Sequence, residues 1–250
     1  MDNLLPILHS FDPISLDQMD DVKLLDRSDT KFLLPEASFQ HVLQQLLDGY
    51  RILEIDGERC HQYRSLYFDT NTFTHFRDHH NGRTFRSKVR YREYTASGLR
   101  FLEVKRRTGR GATKKKRIAV ERITGHLGEE HRLFVAQASK RTLDLVPILW
   151  NCYTRFTFVH RERPERLTID RDLSFTTPDS TCSMNGVCIA ELKQPCIDRR
   201  SPFTAIMHDM GLRPGGLSKY CLGVVLSRPD VKHNAFNEAL RAIDRARSHH

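Results

Sequence analysis

Lys88-Val-Arg90-Tyr-Arg92 and Phe101-Leu-Glu103-Val-Lys105 place a charged residue at every second position of two neighbouring segments. The same alternation returns in Arg166-Leu-Thr168-Ile-Asp170 and Ile189-Ala-Glu191-Leu-Lys193, and more weakly in Lys115-Lys-Arg117-Ile. Successive side chains of a strand point to opposite faces, so each segment sets its long charged groups on one face and mostly apolar ones on the other. A single solvated sheet face would read the same way. Solvated faces mix Ser, Thr, Glu and Lys, however, whereas these segments choose Arg and Lys repeatedly with isolated acids. The repetition predicts a cationic sheet face lining a cavity or tunnel that holds a polyanion.

Outward from these strands, the pattern alternates between strand and helix. Residues 1–22, with Pro6 and Pro13, read as an arm or short helix, and Leu24 to Leu34 reads as a strand ended by Pro35. Phe39, Val42, Leu43, Leu46 and Leu47 then recur at helical spacing up to Gly49. Residues 51–58 and 62–69 read as strands, and 71–84 as a polar loop or short helix. Residues 86–94 and 98–107 form a hairpin turning at Thr95 to Gly98, and Gly109 to Lys116 reads as a basic loop. A helical stretch is predicted between Leu127 and Leu145. Strands follow over 153–161, 165–172 and 187–193, then a short helix over 203–210. A strand or helix start is expected at 218–225 and an amphipathic helix at 236–247. The expected class is α+β: a closed antiparallel β-barrel tunnel with flanking helices. Its expected limits are an N-terminal arm over 1–23, one tunnel domain over 24–226 and a C-terminal helix or tail over 227–250.

The chain has 250 residues, 39% of them hydrophobic and 28% charged, as in a globular protein able to bury a core. Its apolar runs are too short to span a bilayer, and Met1 to Leu8 has neither a basic start nor a long apolar segment, so the expected location is cytoplasmic. Six cysteines without CxxC spacing argue for reduced thiols rather than a zinc site. Thirteen histidines form no HExxH motif and are left out of the expected site. Forty basic against 31 acidic residues, a formal charge of +9, call for an anionic partner.

The residues facing one way are Lys31, Lys88, Arg90, Arg92, Lys105, Lys115, Arg117, Arg155, Arg166, Lys193 and Lys219, against Glu103, Asp170 and Glu191. An inward cation costs free energy to desolvate unless an anion pairs with it, so this excess predicts a bound anion. Arginine suits bidentate contact with phosphate oxygens and lysine suits point-charge neutralisation, a mixture matched to several linked phosphates. Mg or Mn would take one or two carboxylates plus phosphate oxygens, with Glu191 the leading ligand and Glu103 and Asp170 behind it. No GxxxxGK[ST] loop is present. Aromatic residues among the alternating stretches are chiefly Tyr91, Tyr94 and Phe101, too few for a surface that tracks nucleic acid by stacking, so no specific nucleic acid is expected.

In order along the chain stand Arg27-Ser-Asp29-Thr-Lys31-Phe, Ser65-Leu-Tyr-Phe-Asp69-Thr, Lys88-Val-Arg90-Tyr-Arg92, Leu102-Glu103-Val-Lys105, Tyr153-Thr-Arg155, Thr168-Ile-Asp170, Ala190-Glu191-Leu-Lys193 and Ser218-Lys219-Tyr220. Together they resemble the VTC-type polyphosphate polymerase domain, a CYTH-like branch of the triphosphate tunnel metalloenzymes, over Leu24 to Leu226. The resemblance implies a metal-dependent enzyme that moves the ATP γ-phosphoryl group onto a polyphosphate chain, with Mn2+ or Mg2+ as cofactor. It implies that Lys31, Arg90, Arg92, Lys105, Arg155, Arg166 and Lys219 carry the chemistry. Arg27, Lys88, Lys115, Arg117, Lys193 and Ser218 would hold phosphates, and Glu191 the metal. Phosphoryl transfer needs little beyond in-line positioning and charge neutralisation, which such a set supplies.

Two departures from the family pattern stand out. The hydrolytic branch begins with Glu-x-Glu-x-Lys, where this chain has Arg27, Asp29 and Lys31, and that favours the polymerase branch. Pro214-Gly215-Gly216-Leu217 stands where the eukaryotic polymerases carry a lysine before the Ser-Lys pair. Those complexes also join the domain to membrane parts, so a separate membrane protein partner and a position at the inner face of the membrane are further expectations. A triphosphatase acting on inorganic, nucleotide or RNA triphosphate, and a polyphosphate-binding module without turnover, are the alternatives.

Overall fold

The computed structural model describes residues 4–20, 28–109 and 112–248; Arg27 lies outside them. In chain order the elements are α1 (Leu5–His9), β1 (Pro13–Ile14), α2 (Leu16–Asp20), β2 (Ser28–Pro35), α3 (Phe39–Leu46), β3 (Tyr50–Leu53), β4 (His61–Asp69) and α4 (Thr74–His80). They continue with β5 (Arg86–Tyr94), β6 (Leu99–Arg107), β7 (Thr113–Ala119), α5 (Glu129–Ser139), β8 (Val146–His160), β9 (Arg166–Thr176), β10 (Thr181–Ser183) and β11 (Val187–Gln194). The chain closes with α6 (Pro202–Asp209), α7 (Lys219–Ser227) and α8 (Asn237–Arg247).

One sheet carries every strand, in the order β2-β11-β9-β8-β4-β5-β6-β7, with β3 and β10 attached to β8 and β9. All these pairs are antiparallel; β1 adds to β3 in parallel. Among the described residues β2 and β7 do not pair, so the expected closed barrel is a strongly curled sheet with two free ends. At the β7 end Lys114, Lys115, Lys116 and Arg117 are all exposed, and such a run of cations guards an edge strand against pairing with another strand.

The alternation read from the sequence divides the two faces. On the convex face Phe32, Leu34, Ala190, Leu192, Leu167, Ile169, Phe156 and Phe158 pack with α1, α3 and α6 into one apolar cluster. Leu66, Phe68, Val89, Tyr91, Leu102 and Val104 form another beneath α5. At one end of the concave face Leu33, Leu149, Leu173, Phe175 and Ile189 meet α7 and α8 in an apolar cluster. Gly223 permits that contact, because a Cβ there would stand 2.5 Å from Phe175 Cδ1.

Two segments differ from expectation, and two others settle between expected alternatives. The N-terminal arm is part of the body, since Leu8 and Phe11 are buried in the convex cluster and β1 lies beside β3. The basic loop becomes a strand from Thr113, held by β6 through seven residue pairs from Phe101–Ala119 to Arg107–Thr113. The 218–225 segment is a helix; it is apolar nearly all round because it is buried between the sheet and α8. The expected tail also packs, with Ile243 and Ala246 of α8 in the concave cluster. No helix among the described residues is long and apolar enough to cross a membrane.

Candidate functional site

The curl of the sheet encloses a cavity of about 1020 Å³. Among the described residues ten cationic side chains line it, namely Lys31, Lys88, Arg90, Arg92, Lys105, Lys115, Arg155, Arg166, Lys193 and Lys219, against Asp29, Glu103 and Glu191. They come from both arms of the curl: β2, β8, β9 and β11 on one side, β5, β6 and β7 on the other. Ser218, the N-cap of α7, and Lys219 enter from the helix-covered end.

The three carboxylates expected near a metal do different things. Asp170 is 1% exposed and does not line the cavity. Its Oδ1 accepts from Arg155 Nε at 2.6 Å, and its Oδ2 accepts from Arg155 Nη2 at 2.9 Å and Lys219 Nζ at 2.5 Å. Burial opposes its charge, but Arg155 and Lys219 outweigh that and hold its carboxyl well below the usual range. Glu103 is tied in the same way: Oε2 accepts from Arg90 Nε at 2.9 Å and Nη2 at 2.7 Å, and Lys115 Nζ stands 2.5 Å from Oε1. Burial again works against its charge, and Arg90, Arg92 and Lys115 overcome it. Glu103 and Asp170 are therefore counter-ions that hold the cations in place rather than open ligands, because their oxygens are taken up by guanidinium and ammonium groups.

Glu191 is placed differently. Lys193 Nζ donates to its Oε2 at 2.6 Å, while Lys31 Nζ stands 3.6 Å from Oε1, beyond a hydrogen bond. Despite burial its carboxyl is held well below the usual range, by Lys193 and then Lys31. It lines the cavity as an ionised carboxylate with one oxygen only loosely held. No group of three or more His, Cys, Asp or Glu that could hold a metal occurs among the described residues. The donor set therefore suits an ion that takes one protein carboxylate and completes its oxygen shell from phosphates and water, as Mg2+ does. On α4, His75 and His79 stand four residues apart, a spacing that could share a metal, but among the described residues no third ligand joins them. Burial, then Lys88, Arg86 and Lys31, push His79 down to about 3.

Arg117 departs from expectation. It does not line the cavity; its guanidinium lies 4.5 Å over the Phe101 ring. Tyr67 and Tyr153 line the cavity without having been singled out by the alternation of charge. Tyr67 Oη accepts from Arg90 Nη1 at 3.0 Å and Tyr153 Oη from Arg92 Nη2 at 2.9 Å, so each fixes a guanidinium. Their place after Ser65-Leu and before Thr-Arg155, on the parity of the charged positions, is the signal that could have found them.

Lys88, Lys115 and Lys193 are each pushed down to about 8, by burial first. Nearby cations reinforce this for all three; Glu103 partly offsets it for Lys115 and Glu191 for Lys193. The unfolded chain, with lysines near 10.4, binds more protons than the folded one between about pH 8 and 10, so stability rises with pH in that window. The contribution is fully present above the unfolded value and is lost as pH falls through about 8. A bound polyanion has the opposite preference, for the charged lysines. Tripolyphosphate affinity is expected to fall as pH rises through about 8, with proton uptake on binding once the ligand's own ionisation is subtracted. Calorimetry at pH 7 and pH 9 in two buffers checks this; equal affinity at both would contradict it.

Comparison with known proteins agrees with this geometry. A family model described as VTC domain matches residues 26–227. No curated protein matches. Among solved structures, a Hippeastrum adenylyl cyclase candidate, HpAC1, with a dominant triphosphatase activity, aligns at a TM-score of 0.51 and 15% identity, covering 78% of this chain and 93% of its own. An adenylate cyclase candidate from Vibrio parahaemolyticus aligns at 0.44 and 16% identity, covering 78% of this chain and 97% of its own. The first of these shows a shared fold: a large, mainly antiparallel sheet wrapped around a central cavity.

Proposed function

The chain belongs to the VTC domain family, and from that premise we propose that it transfers the γ-phosphoryl group of ATP onto the end of a polyphosphate chain inside the basic cavity. The observation that carries this reading is the ten cations converging from facing walls of one cavity, with Asp29, Glu103 and Glu191 the acids among the described lining. Ten cations against the three lining carboxylates and Asp170 leave the cavity net positive, and several linked phosphates offset that more fully than a single carboxylate ligand would.

In this reading the terminal oxygen of the chain forms a bond to the γ-phosphorus while the bond to the β–γ bridging oxygen breaks, and ADP leaves with that oxygen. Arg90, Arg92 and Arg155, held in place by Glu103, Tyr67, Tyr153 and Asp170, present fixed donors to the equatorial oxygens, where charge spreads in the transition state. Lys31, Lys105, Arg166 and Lys219 line donor and acceptor phosphates up, and Lys88, Lys115, Lys193 and Ser218 extend the track. A Mn2+ or Mg2+ ion held by Glu191 would neutralise phosphate charge when bound. Arg27 falls outside the described residues. The separate membrane partner follows from the family resemblance.

The fold shared with a triphosphatase supports a second reading, in which water replaces the chain end as acceptor. Incubation with γ-labelled ATP and Mn or Mg, with products resolved on a gel, separates the two. A metal-dependent ladder of long chains is expected. Orthophosphate alone would establish the hydrolase, and no labelled product despite tight phosphate binding would leave a binding module.

A further inference from the structure

The residues of the concave face can be followed row by row from the strand registers. Across β5, β6 and β7 the rows read Arg86, Arg107 and Thr113; Lys88, Lys105 and Lys115; Arg90, Glu103 and Arg117; Arg92, Phe101 and Ala119; then Tyr94 and Leu99. The next strands add Tyr63 opposite Tyr94 and Tyr153 opposite Tyr63. The face therefore changes character along its length, from cations only to aromatic and apolar groups.

The aromatic end is one contiguous strip. Tyr153 and Tyr63 are stacked at 5.4 Å and 8°, Tyr63 meets Tyr94 at 5.0 Å, and Tyr94 meets Phe101 edge-on at 5.9 Å. Arg155 and Arg92 lie over Tyr63 at 5.0 and 5.6 Å, so the strip joins directly onto the phosphate-facing guanidiniums. Beyond Phe101 the apolar surface stays open: Leu99 is 55% exposed, and Tyr94 and Phe101 are half-buried. At the opposite end α7 and α8 pack on Leu33, Leu173, Phe175 and Ile189, while Arg107 and Thr113 of β6 and β7 are exposed. Tyr94, Leu99 and Phe101 do not themselves line the cavity but adjoin it through Arg92, which pairs with Phe101 and does line it.

We propose that Tyr94, Leu99 and Phe101 form a platform for the base of a nucleoside triphosphate, which lies at the mouth while its phosphates reach inward. The occupant follows from continuity. From the Phe101 row to the Lys88 row is four residues of strand, about 14 Å, a reach that suits a nucleotide whose base stays on the ring and whose last phosphate meets the lysines. Aromatic faces stack every base, so the platform selects nucleotide over bare polyphosphate and does not separate adenine from guanine. Arg117, exposed over Phe101, gives up a single cation–π contact when a base takes that face.

This rests on the proposed function for the identity of the donor, and the test keeps the two apart by measuring binding without turnover. Affinities for ATP, GTP and inorganic tripolyphosphate are compared in the wild type, Phe101→Ala and Phe101→Leu; the leucine keeps apolar packing and removes the flat face, and Phe101→Tyr serves as rescue. Both nucleotides are expected to weaken by roughly five- to a hundredfold, on the scale of one lost base stack. Tripolyphosphate affinity should stay unchanged, and Tyr should restore the wild-type values. Equal weakening of all three ligands, or unchanged nucleotide affinity in both variants, overturns the platform. A wild type that makes no polyphosphate yet shows the nucleotide-selective loss would overturn the polymerase and leave the platform standing.

Discussion

Glu191→Gln is expected to abolish metal-dependent product formation, with kcat lowered on the order of a hundred- to a thousandfold, the scale of losing one preorganised electrostatic group. Tripolyphosphate binding should survive or tighten. The glutamine keeps the shape of the side chain and removes the negative charge beside Lys193 and Lys31, so the cavity becomes more attractive to anions as it loses its open carboxylate. A melting curve with tripolyphosphate present confirms folding, because the ligand can replace the lost counter-charge on Lys193. Normal turnover in this variant would end the assignment of Glu191 as metal ligand.

Asp170→Asn is the largest expected effect on stability. Asp170 is buried and its carboxylate faces both Arg155 and Lys219, so neutralising it leaves two buried cations without their counter-ion. Breaking a buried pair by removing one partner costs about 3–5 kcal/mol, which for a domain of this size lowers Tm on the order of 10 °C. Added tripolyphosphate should recover more of that loss than it adds to the wild type, since an anion can pair with the released cations. An unchanged Tm would show that the cations relax outward into the cavity without cost. Glu103→Gln makes the same comparison with Arg90 on the other wall.

The sheet was legible wherever long charged side chains alternate with apolar ones, because that pattern has a single physical reading in β5, β6, β9 and β11. Glu191 was ranked ahead of Glu103 and Asp170, but the alternation does not supply the reason. Asp170 and Glu191 share a face and a parity, and only the cross-strand partners separate the counter-ion from the open group: Arg155 lies opposite Asp170, and Lys31 opposite Glu191. Tyr67 and Tyr153 carry no charge, and an inward tyrosine reads like a core residue until the guanidinium it holds is seen. β7 has cations on both faces, so the alternation there is weak and its first residues read as a basic loop. α7 is buried on most sides, so no helical period marks it either. Leu8 and Ile14 lie in elements too short for any pattern and Phe11 between those elements, yet each is buried in the core.

The pairing of β2 with β11 also bears on how the molecule comes together. The β4 to β7 side is built from neighbours in sequence or nearly so, whereas Lys31 and Glu191 face each other across some 160 residues of chain. Loop-closure entropy must be met before such a contact gives anything back, and non-local pairings slow folding for that reason. The hairpins bearing Arg90 and Lys105 can form early, and β2 docks late at the free end of the sheet. The wall that holds Glu191 against Lys31 is thus the last to be completed, and amides of β2 should exchange with solvent ahead of those in the central strands β8 and β4.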